Sequence, residues 1–446
     1  MNSMDHMFNA KSVAVIGASG KPEKTGHVIL KNIIDGGFRG GIYPINPKEE
    51  KILGYKCYKS VTDVPGDVDL IVVVVPARFV PKVIEEAGLK KVKGSVIISG
   101  GFREVGNVEL EEQVVGTARK YGIRIIGPNC QGFNYTPNKL CATWPLITKK
   151  GPIAVISQSG TAGATLEMLA EDEQLGVSAF VALGNKSDVS EIDLIDYFSK
   201  DTETRVISLY IEGVKDGPRF MEIAKKAAQT KPVVVLKPGR TEKGKKAAES
   251  HTKSIGGMDQ IFDGVCKQLG IVRANDLTEF YDYSKALGFL KKPKGNNMLI
   301  ATSSGGCGII ATDTAEECGI NIVDLQDSLR NRLKEILPDQ CVISNPLDLT
   351  GDATAKRYRD AMEIAIEDPN IDIFMLIFGD PIPGAFEVVK ELKSKTDKPI
   401  VISYLGGGQT EHEETEKMHK NGIPVFPTPE RAVRAMKAIL SVKTTS

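Results

Sequence analysis

His251, one of the chain's five histidines, sits in KAAESHTKSIGG (246–257), a small, hydroxylated and glycine-rich stretch. No apolar periodicity there would bury an imidazole in a core. A hydrolytic general base would need a nucleophile and an orienting carboxylate, and no G-x-S-x-G elbow accompanies it. A metal site would need further ligands at short spacing. His412 and His419, seven apart in EHEETEKMH, read as the solvated face of a helix, so no metal is expected. Nucleophilic catalysis remains, with an imidazole nitrogen attacking and carrying a phosphoryl group. Such a histidine needs a mobile loop, phosphate-binding amides, and a carboxylate to steer its other nitrogen. Glu212, closing the β-branched run VISLYI (206–211), is the candidate carboxylate. Taken singly, a loop histidine is more often incidental; the combination carries the reading.

Three turns could supply the amides. Each follows an apolar run and opens a helical stretch, where free N–H groups and the positive helix end attract anions. The first, GASGKPEKTG (Gly17–Gly26), carries Ser19, Lys21 and Lys24 but lacks G-x-G-x-x-G spacing, which disfavours a dinucleotide and leaves another phosphate-bearing cofactor. The second, SQSGTAG (Ser157–Gly163), offers Ser159, Gly160 and Thr161 to a small oxyanion. The third, SSGGCG (Ser303–Gly308), resembles the second closely enough to indicate an internal duplication, and as a duplicated turn it also reads as a plain helix start. GRTEKGKK (Gly239–Lys246) fits a P-loop except at its last position, where Lys246 stands in place of the Mg²⁺-binding hydroxyl. It reads as a basic loop beside a phosphate site.

The elements that must position these residues share one pattern along all 446 residues. Short, continuously apolar runs alternate with helical stretches, as in parallel sheets covered on both faces. A first set spans SVAVI (12–16) to IRIIG (123–127), a second IAVIS (153–157) to VVVL (233–236), and a third MLIAT (298–302) to IPVF (423–426). TPNKLCATWPLITKKG (136–151) and LKKPKGNN (290–297) read as linkers between them. The expected fold is α/β with three tandem domains: a Rossmann-like domain over 1–135 and two flavodoxin-like, doubly wound domains over 150–290 and 297–446. Lys+Arg and Asp+Glu balance at 57 each, so no global field draws nucleic acid or an anionic membrane. The apolar runs are far too short to span a bilayer. The first residues lack the charged head and apolar stretch of a signal peptide. Seven cysteines without a C-x-x-C pair read as reduced thiols, and a cytoplasmic location is expected.

With His251, Glu212 and SQSGT assembled, the chain resembles the α subunits of the NDP-forming acyl-CoA synthetases, the superfamily of succinyl-CoA synthetase. IGPNCQG (126–132) is similar to that family's closing segment of the CoA-binding domain. GASGKPEKTG, NPK (46–48), VPA (75–77) and SGGF (99–102) are similar to its CoA-binding segments. The resemblance therefore implies coenzyme A contacts at Gly17, Ser19, Lys24, Lys48, Pro76, Ser99, Gly100 and Asn129. It implies a phosphate site at Ser159, Gly160 and Thr161, with His251 and Glu212 catalytic. The third set of elements points to the branch of ADP-forming acetyl-CoA synthetases. Membership there implies reversible conversion of acyl-CoA, ADP and phosphate to a carboxylic acid, ATP and CoA, through an acyl phosphate and a phosphohistidine. ADP or ATP with Mg²⁺ would be held by a separate ATP-grasp β subunit, in an α₂β₂ assembly. Lys253 in the phosphohistidine loop and Gln131 after Asn-Cys depart from the family pattern. The competing readings are a CoA-binding regulatory chain and the non-catalytic part of a CoA-dependent protein acyltransferase.

Overall fold

A computed structural model describes residues 4–252 and 259–443, with the side chains of 248–252 outside that description. The apolar runs of the first segment become β1 (Ser12–Ile16), β2 (Gly41–Ile45), β3 (Leu70–Val73), β4 (Gly94–Ile97) and β5 (Arg124–Ile126). They form one parallel sheet in the order β2-β1-β3-β4-β5. Every residue of β1, β3 and β4 is buried, as continuous apolar runs require when both faces of a sheet are covered. The order reverses between β1 and β3, so their carboxyl ends frame the crevice where such sheets take ligands.

A second, seven-stranded sheet contains β6 (Gly132–Tyr135), β7 (Leu140–Thr143), β8 (Lys150–Ser157), β9 (Val177–Ala182), β10 (Val206–Tyr210), β11 (Val233–Leu236) and β12 (Val272–Ala274). Its order is β12-β11-β10-β8-β9-β6-β7. The stretch expected to link the first two segments is thus partly structured. β6 pairs antiparallel with β9, and β7 pairs antiparallel with β6. The Pro and Asn of TPN, read as linker punctuation, instead make the turn of an edge hairpin, and all four residues of β7 are buried. Asn32 fastens β7 to the first segment, its Nδ2 donating to the carbonyls of Thr143 and Trp144 at 2.8 Å each.

Against this hairpin lies a buried carboxyl. Glu167, on the helix Gly160–Asp172, is 0% exposed and accepts from Asn134 Nδ2 at 2.9 Å. Burial pushes its pKa up to about 8, with the nearby charge of Glu171 adding to the effect.

The third sheet runs β15-β16-β13-β17-β18-β19, with β14 paired to β13. Its strands are β13 (Asn297–Thr302), β14 (Asn321–Ile322), β15 (Val342–Ile343), β16 (Leu347–Asp348), β17 (Ile373–Phe378), β18 (Ile400–Tyr404) and β19 (Val425–Phe426). Its core is apolar, built around Leu299, Phe374, Leu376 and Ile402.

By internal contacts the chain divides into two compact units, Met1–Asp172 with Gly176–Arg273, and Glu173–Leu175 with Ala274–Ser446. Within the second unit Lys285 is fully buried. Its Nζ donates to both Glu173 carboxylate oxygens at 3.2 and 3.0 Å and to the Val425 carbonyl at 2.9 Å. The rings of Tyr281 and Phe426 lie 4.9 and 4.7 Å from the same ammonium. His419 joins this cluster. It lies on the helix Gly408–Lys420 and is 7% exposed, whereas His412 on the same helix is exposed. The expected solvated face therefore holds for His412 and fails for His419, where burial depresses the pKa to about 4.

Candidate active site

The residues expected to bind a nucleotide-bearing cofactor gather at the carboxyl ends of β1 to β5. Gly17 directly follows β1 at φ +89°, and a Cβ there would come 2.8 Å from Val75 Cγ1. The turn then carries Ser19, whose Oγ accepts from the Lys21 amide at 3.1 Å. Lys24 caps the helix Thr25–Asp35 and is exposed. Gly26 presses on the start of the turn so closely that a Cβ would lie 2.0 Å from the Gly17 carbonyl oxygen. Asn46 joins the next segment to this one: its Nδ2 donates to Ala18 O and its Oδ1 accepts from Lys48 N, both at 2.8 Å. Lys48 is thereby presented on the same rim with its side chain exposed.

Pro76 follows β3 and precedes the short helix Ala77–Phe79, while Ser99 Oγ donates to Val75 O at 2.5 Å. Gly100 packs against Asn129, whose Oδ1 would lie 3.1 Å from an added Cβ. Asn129 stands at φ +56° and donates its own amide to Ser99 O at 2.9 Å. All eight sequence-predicted cofactor residues thus share one rim.

The second turn begins where β8 ends. Ser157 Oγ donates to Ser159 O at 2.5 Å, and Ser159 O accepts from Gly163 N at 3.1 Å, closing the first turn of the helix Gly160–Asp172. Gly160 meets the first rim, since a Cβ there would be 2.6 Å from Gln131 Cγ. Thr161 is exposed. Glu212 lies just after β10, 6% exposed. Gln158 binds the two parts together: its Oε1 accepts from the Glu212 amide at 2.5 Å and from the Gly213 amide at 3.1 Å. The backbone of Glu212–Gly213 and the Ser157–Gly163 turn therefore share one hydrogen-bonded frame.

His251 falls within the helix Glu242–Thr252, so the backbone expected as a loop is helical as far as residue 252. Glu, Lys and Ala from 242 to 249 are good helix formers, and the turn chemistry that marked a loop begins only beyond them. The His251 side chain and Lys253 lie outside the described residues. Thr241 Oγ1 accepts from Gly244 N at 3.1 Å, so the basic stretch GRTEKGKK straddles the start of this helix.

The third turn repeats the second in its bonding. Thr302 Oγ1 donates to Ser304 O at 2.9 Å, and Gly308 N donates to the same oxygen at 3.0 Å. That repetition matches the duplication read from sequence. The surroundings differ, because a Cβ on Gly305 would lie 2.8 Å from Asp348 Oδ2. Among the described residues no group of three or more His, Cys, Asp or Glu is placed to hold a metal. No helix among them is long and apolar enough to cross a membrane.

Three family models cover this framework: a CoA binding domain over 11–136, a succinyl-CoA ligase like flavodoxin domain over 150–287, and a Ligase-CoA domain over 298–443. The alpha subunit of the ADP-forming acetate–CoA ligase I of Pyrococcus furiosus is 45% identical over 98% of this chain and 97% of its own length. The chain belongs to the ADP-forming acetate–CoA ligase family. The ADP-forming acetate–CoA ligase of Methanocaldococcus jannaschii is 43% identical over 96% of this chain, which spans 61% of that longer protein. Among solved structures, the dinucleotide-forming acetyl-coenzyme A synthetase 1 of Ca. Korarchaeum cryptofilum, in complex with phosphate and ADP, superposes with a TM-score of 0.93. It shares 38% identity, over 99% of this chain and 97% of that one.

For this member of the ligase family, the motifs themselves stand out in the sequence, and some of the residues that hydrogen-bond to them do not. Gln158 lies inside SQSGT but carries no reactive group. Asn185 and Lys186 stand in ALGNKSD (182–188), whose only signal is a polar turn directly after an apolar run.

Proposed function

We propose that this chain is the α subunit of an ADP-forming acyl-CoA ligase, working reversibly between acyl-CoA, ADP and phosphate on one side and carboxylic acid, ATP and CoA on the other. CoA lies along the rim formed by Gly17, Ser19, Lys24, Lys48, Pro76, Ser99, Gly100 and Asn129. Phosphate sits on the turn of Ser159, Gly160 and Thr161 and attacks the thioester carbonyl; the C–S bond breaks, CoA leaves, and an acyl phosphate remains. A nitrogen of His251 then takes the phosphoryl group, releasing the carboxylate, while Glu212 orients the other ring nitrogen. Phosphoryl transfer needs positioning and charge stabilisation above all, and the amides and hydroxyls of the turn are suited to both.

The observation that carries this reading is the Gln158 link, which holds the buried Glu212 beside the oxyanion turn. ADP or ATP with Mg²⁺ is assigned to an ATP-grasp β subunit, most simply in an α₂β₂ assembly in the cytoplasm. Support comes from the subunit name of the first relative and from the longer relatives, of which this chain spans only part. The acid is a small carboxylic acid, acetate being the first to try.

The purified chain is to be incubated with acetyl-CoA and labelled inorganic phosphate, wild type beside His251→Ala. The expected result is an acid-labile, base-stable label on the wild type alone. Absence of label from the wild type, repeated with an ATP-grasp partner, ATP and other acyl-CoAs, would overturn the assignment.

A further inference from the structure

The turn between β9 and the helix Glu191–Lys200 reaches both halves of the proposed reaction. Gly184 stands at φ +56° with space for no side chain, since a Cβ would meet the carbonyl oxygens of Pro128 and Asn129 at 2.2 and 2.4 Å. The Asn185 amide donates to Pro128 O at 2.9 Å, and the Ser187 amide to Gly127 O at 3.1 Å. Asn185 Nδ2 donates to Glu104 Oε2 at 2.6 Å and Glu111 Oε2 at 2.9 Å, behind the SGGF segment. On its other side the turn carries Lys186, whose side chain is 6% exposed. Lys186 Nζ donates to Glu191 Oε2 at 2.9 Å and to the carbonyl of Gly213 at 2.7 Å.

Gly213 directly follows Glu212. Gln158 holds the two amide N–H groups of that pair, and Lys186 holds the carbonyl on the far side. A buried ammonium is costly unless paired and hydrogen-bonded, and the acceptor that completes this one beside Glu191 is the carbonyl of the residue next to Glu212. We propose that Lys186 is a positioning residue for Glu212, and that Gly184–Lys186 is a rigid spacer setting the distance from the CoA-side turn Gly127–Asn129 to that carboxylate. The inference rests on the reading of Glu212 and His251 given above. Lys186 acts on the Glu212 carboxylate through the backbone of Gly213, the residue that follows it.

Removing Lys186 alone would leave Glu191 buried and unpaired, so the test uses the double variant Lys186→Met, Glu191→Gln, with Lys186→Arg as the conservative partner. Two quantities are read: the single-turnover rate of His251 labelling from acetyl-CoA and phosphate, and the dissociation constant of CoA by calorimetry. The double variant is expected to lose about tenfold to a hundredfold in labelling rate, the scale of a small misplacement, while CoA binding stays within about twofold. Lys186→Arg, which keeps donors for both acceptors, is expected to recover most of the rate. Equal labelling rates in wild type and double variant would overturn the proposal, as would parallel losses of rate and CoA affinity. Should the double variant fail to fold, an unimpaired CoA affinity with a wild-type rate in Gln158→Ala, which releases the two amides of the same Glu212–Gly213 segment, would count against the frame. Lack of label on the wild type is a different result and overturns the underlying reading instead.

Discussion

Gly26 shows how much of a ligand site depends on the absence of an atom. An added methyl would need the space of the Gly17 carbonyl oxygen, which is backbone and has no rotamer to change. Overpacking of this kind costs about 1–3 kcal/mol, and here it falls on the turn proposed to face CoA. Gly26→Ala is therefore expected to weaken CoA binding about tenfold or more, with the melting behaviour of the second unit unchanged. Titration calorimetry checks this, and an unaltered affinity would remove the turn from the site. Residue types with intrinsic chemistry, such as His251, Glu212 and the serines of SQSGT, stand out in the sequence as candidates. Gln158 and Lys186 do not, because an amide or ammonium becomes informative only once its acceptor or donor is known. Those partners are 54 and 27 residues away along the chain.

Among elements, the helix Gly160–Asp172 does two things at different points along its length: its Gly163 amide closes the turn at Ser159, and it buries Glu167 against the β6–β7 hairpin. The folded-state pKa of Glu167, about 8, lies above its ordinary 4.5. Between those values the unfolded chain has released a proton that the folded chain retains. Stability must therefore fall as pH rises through this window, by at most about 1.4 kcal/mol per pH unit from this group, with the loss complete above the folded value. Glu167→Gln keeps an acceptor for Asn134 and removes the titration. Its urea midpoint is expected to exceed that of wild type at pH 8 and to converge on it near pH 4.5; parallel profiles would show that the carboxyl is not the source. The hairpin itself was hidden in the sequence because its turn residues look like those of a linker. The long apolar strands were plain, since repeated short apolar runs alternating with helical stretches suit a parallel sheet covered on both faces.

For the whole molecule, the two compact units carry buried titrating groups of opposite effect. Glu167 belongs to the first. His419, in the second, is neutral down to about pH 4 in the folded state against an ordinary 6.5. Its contribution is lost as pH falls from 6.5 towards 4, because the unfolded chain binds the proton first. Scanning calorimetry is expected to resolve two transitions, one weakening as pH rises from 5 to 8 and one strengthening between 4 and 6.5. Glu167→Gln should flatten only the former. A single transition at every pH would mean that the units melt as one. The three sheets were evident from the sequence, but the grouping of Glu173–Leu175 with the C-terminal sheet was not, since three polar and apolar residues after a helix carry no mark of it.

That small excursion has a consequence for cutting and splicing the chain. A fragment beginning at Ala274 would contain Lys285, its aromatic walls and the Val425 carbonyl, yet not the carboxylate of Glu173. It would inherit a buried cation stripped of its counter-ion, a fault of about 3–5 kcal/mol. Transplanting the third sheet into another scaffold thus calls for a three-residue graft from elsewhere in the chain, or for Lys285→Met as a substitute. The fragment with Lys285→Met is expected to be recovered in soluble, cooperatively melting form where the unaltered fragment is not.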